Sequence, residues 1–513
     1  MQRKREAQKR VMGARKAHKA REFMLEKLAK QTAIYGISTI VVRFLSYLLT
    51  PLYTYNFTQA EYGVVTDIYA LIPFALVLLS MGMESSYFRF AAKAEAEGGD
   101  DKELIRAGKR RVFATTWGAT IVAALVFFVV VMVLRGGVAR VMGPAYVAHP
   151  EYISLVAAII LLDVATMIPF SRLREQGRAL KFVSLKALNV LANVGLSILF
   201  MAIGLFDTDF GVGWVFVANL VASVITLIAI LPTAERTMPT IDKQLLKRIF
   251  AYSLPLLIGG VAGTAGEFID RQMIKYILPE DVAMAQLGVY GAITKIAVVM
   301  TLFTQMYRFA AEPFFLSNFR KEEFVESNAA AMKYFVMASM AIFLGIALLR
   351  DLFALIVGRD FREGIDMLPI ILGSNVMAGV WLNLSFWYKR EERTRFAMYV
   401  TFVGLAVAVV ASLVLVPRWG NYGAAWSRFA AEAAMVGVSY YLNRRFFPTP
   451  YDVKRIAGYV ALALVLYFVS EQTVGECQNL VLRYGVNIAL LAVYGGYAIW
   501  REGVITRLKN KKR

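Results

Sequence analysis

Along the chain, apolar residues gather into long runs divided by short connections in which the charged residues collect. A run needs about 20 residues to cross the hydrocarbon core of a bilayer as a helix, a form that satisfies every backbone N–H and C=O within the segment. Fourteen runs qualify: 31–52, 63–86, 112–134, 151–171, 182–204, 211–231, 249–275, 286–307, 328–349, 365–388, 396–416, 422–443, 456–470 and 484–500, the thirteenth being short. The pattern predicts an all-α polytopic membrane protein.

The connections test that count, because Lys and Arg concentrate in short cytoplasmic loops. Here they crowd the arm at 1–30, the even-numbered connections and the tail at 501–513, and they are sparse in the odd-numbered connections. An error of one helix would scramble this alternation. An even number of spans and two cytoplasmic termini are therefore expected together. The arm at 1–30 holds eleven Lys and Arg, with Phe23, Leu25 and Leu28 among them. It reads equally as a basic helix lying on the membrane surface or as a solvated tail that anchors topology.

Composition agrees with the pattern. Of 513 residues, 58% are hydrophobic, against roughly 45–50% in soluble chains, and the mean hydropathy is +0.54. The net charge of +20 would suggest nucleic acid in a soluble protein. Its place in loops and tails assigns it instead to topology and to the headgroups of membrane lipids, with no nucleic acid as partner. Cys477 is the only cysteine and His18 and His149 are the only histidines, so neither an internal disulfide nor a metal cluster is expected. The chain lacks a phosphate-binding loop ending in Gly-Lys-Ser/Thr and a Gly-x-Ser-x-Gly elbow. Its odd-numbered connections are at most about sixteen residues long, too short for an external catalytic domain. An enzyme or a resident cofactor is not expected.

The runs divide into an N-lobe at 31–231, a C-lobe at 249–443 and a final helix pair at 456–500. The fourth and tenth runs each lead into a basic connection, with Arg172, Arg174, Arg178 and Lys181 in one half and Lys389, Arg390, Arg393 and Arg395 in the other. Each connection precedes an apolar run and a glycine-marked turn, Gly211 and Gly213 or Gly420 and Gly423. Halves of six helices share an orientation and form a parallel repeat.

Charges inside the runs are the informative exceptions, since each costs a few kcal/mol or more at the bilayer centre unless it faces protein or water. The cations are Arg43, Lys186, Arg271, Lys295 and Arg428, and Lys186 lies close enough to a run's end to snorkel. The clearest acids are Asp67, Asp163, Glu267, Asp270 and Glu432. Arg43 and Lys295 have no acid three or four residues along their own helix, which makes them the leading candidates for an anion-binding cavity between the lobes. Arg271 and Arg428 join them, or else pair with Glu267 and Glu432 one turn away and merely join helices. The five acids are candidates for binding a coupling proton or sodium ion, or for acting as counter-ions.

A set of motifs adds a resemblance. The order is Tyr35-Gly36, Thr50-Pro51-Leu52-Tyr53-Thr54, Glu61-Tyr62-Gly63, Gly82-Met83-Glu84 and Arg89-Phe90, then Asp270-Arg271, Gly288-Val289-Tyr290 with Lys295 beyond, and Glu312-Pro313-Phe314-Phe315. Val416-Pro417-Arg418-Trp419-Gly420 and Tyr422-Gly423-Ala424-Ala425 close it. Over roughly 28–500 this resembles the bacterial polysaccharide (O-antigen type) flippases of the multidrug/oligosaccharidyl-lipid/polysaccharide exporter superfamily. The resemblance implies two six-helix lobes around a central cavity, two further helices and alternating access. It implies as substrate an undecaprenyl-diphosphate-linked oligosaccharide, flipped to the outer face of the bacterial cytoplasmic membrane, with polysaccharide polymerase machinery as a candidate partner. A cationic cavity of Arg43, Arg271, Lys295 and Arg428 suits a diphosphate. The arm at 1–30 is longer than the family pattern, and Asp67 and Asp163 map onto none of its motifs. Two other readings stay open: a cation-coupled multidrug exporter of the same superfamily, and a non-transporting scaffold for polysaccharide assembly.

Overall fold

Local chemistry explains where the helices begin. The Thr58 hydroxyl accepts from the backbone N–H of Glu61, and the Glu61 carboxylate accepts in return from the N–H of Thr58 at 2.8 Å. This reciprocal cap starts helix α1 (Gln59–Ser80) four residues earlier than its apolar run suggests. Asp101 caps helix α3 (Lys102–Val133) and Asp242 caps helix α7 (Lys243–Ile277). The Asp242 carboxyl lies below the ordinary carboxylate range because the Leu245 N–H, and beside it the Arg111 guanidinium, favour its charged form. The computed structural model describes residues 44–503 except 46, 236, 317–320, 394, 476 and 478.

Between α1 and α2 (Met83–Gly98) the chain turns through Met81 and Gly82, both in the left-handed region. After α3 come α4 (Glu151–Glu175), α5 (Ala179–Ala202) and α6 (Gly213–Ile230). Beyond α7 lie α8 (Glu280–Ile296) and α9 (Val298–Leu316), which meet at a bend of 49° at Ala297 where the sequence suggests one span. Next are α10 (Lys321–Leu348), α11 (Leu368–Leu384), α12 (Arg395–Phe446), α13 (Val453–Val474) and α14 (Leu480–Arg501).

The 52 residues of α12 correspond to two predicted spans. Gly420 is non-helical, with φ +55°, and a Cβ at Gly423 would meet the Leu415 carbonyl oxygen at 2.3 Å, so the chain reverses there. Residues eight apart in a straight helix are about 12 Å apart. The thirteenth run looked short, but α13 has 22 residues and is long enough to cross. Among the described residues eleven helices have the length and apolarity of membrane spans, or twelve if α8 and α9 make one; α12 counts once in that number. Most of the first predicted span, 31–52, lies outside the described residues, as do the arm at 1–30 and nearly all of the tail at 501–513.

Helices α1–α6 pack on one another, and α7–α12 do the same. One hydrophobic core joins the two bundles: it holds Tyr62, Val65 and Ile68 of α1, Ile160 and Val164 of α4, and Leu287, Tyr290 and Ile293 of α8. At the other, basic end the cores are separate. Tyr87, Phe113, Trp117 and Ile168 form one, reached from the second bundle by Ile249 of α7, while Phe315, Phe324, Trp387 and Phe447 form the other. The large core thus unites the bundles at one end, while at the basic end it is α7 that carries the second bundle onto the core of the first. Apolar side chains such as Val122, Val126, Val129 and Val133 of α3 remain exposed on the perimeter, where acyl chains would cover them.

The final pair packs against α10. Along one face of α14, Asn487 donates to the Leu348 carbonyl at 2.7 Å and Tyr494 to the Met337 carbonyl at 3.0 Å. Just past its end, Glu502 accepts from Lys333 at 2.5 Å and from Tyr459 at 2.8 Å.

The orientation expected from charge predicts one labelling result. Cys477, between α13 and α14, is expected outside and should react in intact spheroplasts with a membrane-impermeant maleimide. Labelling only after permeabilisation would reverse the assigned orientation.

Candidate substrate cavity

The closed end depends on glycines where α1 crosses α8. A Cβ at Gly63 would meet the Met284 carbonyl oxygen at 2.0 Å, one at Gly288 the Gln59 carbonyl oxygen at 1.9 Å, and one at Gly291 the Thr66 hydroxyl at 2.2 Å. No real Cβ approaches that closely, so bare backbone is what lets the bundles touch. Polar contacts reinforce the seam. The Gly358 N–H donates to the Thr54 hydroxyl at 3.0 Å and the Gln59 amide donates to Glu363 at 2.9 Å.

Directly beneath lies a buried lock. Asp67 of α1 is fully buried. One of its oxygens accepts from Gln272 of α7 at 2.9 Å, and the other accepts from the Tyr146 hydroxyl at 2.6 Å and from the Lys275 ammonium. Sequence reasoning left out Lys275, the last residue of the run at 249–275. Its signal was its place one turn after Arg271, on the same face of α7.

Between α1, α7 and α8 is a cavity of about 150 Å³, lined by Tyr62, Tyr69, Thr264, Glu267, Arg271 and Lys295 among others. That volume takes a group the size of benzene, so a charged headgroup fits and a sugar chain does not. Lys295 is exposed and has no carboxylate within 4 Å among the described residues; its ammonium stands 5.1 Å over the Tyr47 ring. Arg271 donates to the Glu267 backbone carbonyl at 2.9 Å rather than to its carboxylate, and lies 3.5 Å from the Asp270 carboxylate.

Asp270 gathers the neighbouring charges. It accepts from Tyr290 at 2.6 Å, from the Arg271 backbone N–H at 2.8 Å and from Arg428 of α12 at 3.3 Å. Arg428 therefore pairs across helices with Asp270, and also reaches Asn375 at 3.5 Å, instead of pairing with Glu432 one turn along. An oxygen of Glu432 is buried with no hydrogen-bond partner among the described residues. Three cations, Arg271, Lys295 and Arg428, face three acids, Glu267, Asp270 and Glu432. The cavity's own lining carries two cations and one acid.

The remaining candidates lie elsewhere. Asp163 sits within the first bundle, where Ser223 donates to it at 2.9 Å and Lys186 is in electrostatic reach. Tyr69 connects that cluster to the cavity: it lines the cavity, accepts from Asn219 at 3.2 Å and feels the Asp163 charge. Arg43 lies outside the described residues. No group of three or more metal-ligating side chains occurs among the described residues.

Two helical bundles joined by a common core, with a charged cavity where they meet, define a polytopic membrane protein with the fold of the MOP-superfamily transporters. Within that class, the chain belongs to the polysaccharide biosynthesis protein family, whose sequence profile matches residues 28–319. Its structure is similar to that of the lipid II flippase MurJ in an inward closed conformation, with a TM-score of 0.69 and 11% identity over 92% of this chain and 100% of that one. It is also similar to a multidrug resistance MATE family transporter in an inward-facing conformation, with a TM-score of 0.62 and 15% identity over 81% of this chain and 94% of that one. For an outward-facing MATE family conformation the TM-score is 0.54, with 16% identity over 82% of this chain and 94% of that one. No curated protein sequence matches the chain.

The lock yields a stability prediction. Asp67→Asn strands the Lys275 ammonium in a buried site and should cost about 3–5 kcal/mol in thermal unfolding of the purified protein. Adding Lys275→Met should recover much of that loss. Strictly additive losses in the double variant would show that the two side chains are not coupled.

Proposed function

We propose that the chain is a flippase that carries an undecaprenyl-diphosphate-linked oligosaccharide from the cytoplasmic to the outer face of a bacterial cytoplasmic membrane by alternating access. The observation that carries this reading is Lys295, a cation without a carboxylate partner among the described residues, in a headgroup-sized cavity where the two bundles meet. The diphosphate would enter from the basic end, which the charge pattern assigns to the cytoplasm together with both termini. Lys295 and Arg271 would receive it, since charge-assisted hydrogen bonds to phosphate oxygens are the strong ones. The sugars and the prenyl chain exceed this cavity and would occupy space opened between the bundles during the cycle, and the bilayer.

Transport then requires the closed end to open. The α1–α8 seam and the Asp67 to Lys275 lock are the contacts that must part, while the separate cores at the basic end come together. A coupling proton fits best at Glu432, whose unpartnered buried oxygen lies near both Arg428 and Glu267. Asp67 and Asp270, each already bound to cations, act as counter-ions in this scheme.

Deleting the gene in its host should strand lipid-linked intermediates on the cytoplasmic side, and the wild-type gene should restore surface glycan. Lys295→Ala should lower flipping about tenfold to a hundredfold, the worth of one hydrogen bond between charged groups, and Lys295→Arg should retain most of it. Normal glycan from Lys295→Ala would remove the assigned site. Drug hypersensitivity with normal glycan in the deletion strain would instead favour a multidrug exporter.

In proteoliposomes Glu432→Gln should abolish any dependence of flipping on an imposed pH gradient. A dependence that persists in Glu432→Gln would place the coupling group elsewhere.

A further inference from the structure

A second cavity, of about 580 Å³, opens at the basic end of the first bundle, away from the first. One wall is the start of α3, which contributes Lys102, Arg106, Lys109 and Arg110; the last turn of α4 contributes Arg172 and the turn after it Arg178. Against these six cations the lining offers two acids, Glu175 and Glu235.

Both acids are already engaged. Glu235 holds Arg172 at 2.8 Å and stands 3.9 Å from Arg178 and 4.0 Å from Arg106. Glu175 holds Lys109 at 2.7 Å and accepts from Tyr87 at 3.4 Å, with Glu95 on the other side of Lys109 at 2.8 Å. Lys102 and Arg110 have no carboxylate within 4 Å among the described residues. The acids therefore brace the walls and leave a cationic excess at the mouth.

The preference for basic cytoplasmic loops explains how many cations lie here but not their convergence on one concave site. Lys102, Arg106 and Arg110 recur at four-residue spacing on a single helix face, where like charges repel one another. A bound anion would offset that repulsion. Guanidinium groups match phosphate oxygens two at a time, and the volume lies within the range of small-molecule sites, about 300–1,000 Å³. It is too large for a lone monovalent ion.

We propose that this cavity is a binding site for a phosphate-bearing group with two or more negative charges, contributed by an anionic lipid headgroup or by a soluble phosphate compound. The inference stands apart from the flippase reading, because none of its residues lines the cavity that holds Lys295. The site also touches the segment that joins the bundles. Glu235 lies in that segment, the Thr240 N–H there donates to the Ala114 carbonyl of α3 at 3.2 Å, and Arg111 binds Asp242. An anion that draws Arg106 and Arg178 away from Glu235 would loosen the hold of the first bundle on its link to the second.

The full-length protein in neutral phosphatidylcholine nanodiscs should bind radiolabelled inorganic pyrophosphate, less tightly as salt rises. In nanodiscs containing cardiolipin, whose headgroup carries two phosphates, native mass spectrometry would read retained anionic lipid. Pyrophosphate binding points to a soluble source and lipid retention alone to a headgroup; both support the site. The combined variant Lys102→Gln, Arg106→Gln and Arg110→Gln should weaken whichever signal appears by about tenfold or more. Should that variant aggregate, Arg110→Gln alone should weaken it in the same direction. Lys295→Ala should leave it unchanged. No binding of either probe to the wild type, binding indifferent to the α3 substitutions, or binding lost in Lys295→Ala would overturn the proposal.

Discussion

Everything in this molecule depends on the approach of two backbones, α1 and α8, at Gly63, Gly288 and Gly291. In lipid the hydrophobic effect does not drive one helix toward another, because acyl chains are as apolar as leucine. Close contact between small residues supplies that attraction instead. The same contact decides shape, because it joins the bundles through a common core. It also positions the cavity, whose floor is formed by the residues just below the crossing.

Charges then fill the space that packing leaves. A buried ion persists only where a partner repays its lost hydration. Asp67 is repaid by Lys275, Tyr146 and Gln272, and Asp270 by Arg428, Arg271 and Tyr290. The two clusters differ in consequence. Around Asp67 the pairing spans the bundles and excludes water, so it stabilises a closed seam. Around Asp270 the pairing absorbs two guanidiniums and leaves the Lys295 ammonium as the cavity charge without a carboxylate.

How far the sequence reveals this follows from the range of each interaction. Helix positions are legible because a bilayer requires apolar length, and the reversal in α12 is legible because Gly420 and Gly423 mark it. The bend at Ala297 is not, since no proline or glycine stands there. Local spacing also misdirects. Arg428 and Glu432 are one turn apart, yet Arg428 binds Asp270, 158 residues away in sequence. Lys275 was overlooked for the same reason: its partner Asp67 precedes it by 208 residues. Lys295, by contrast, is legible from what its own helix lacks.

The fastening of α14 has a mechanical consequence. Asn487, Tyr494 and Glu502 secure its whole length to α10, so the last two helices travel with the second bundle and cannot act as an independent hinge. Any neighbour in the membrane that gripped them would hold a handle on half of the molecule and could brake or assist its swing without approaching the passenger.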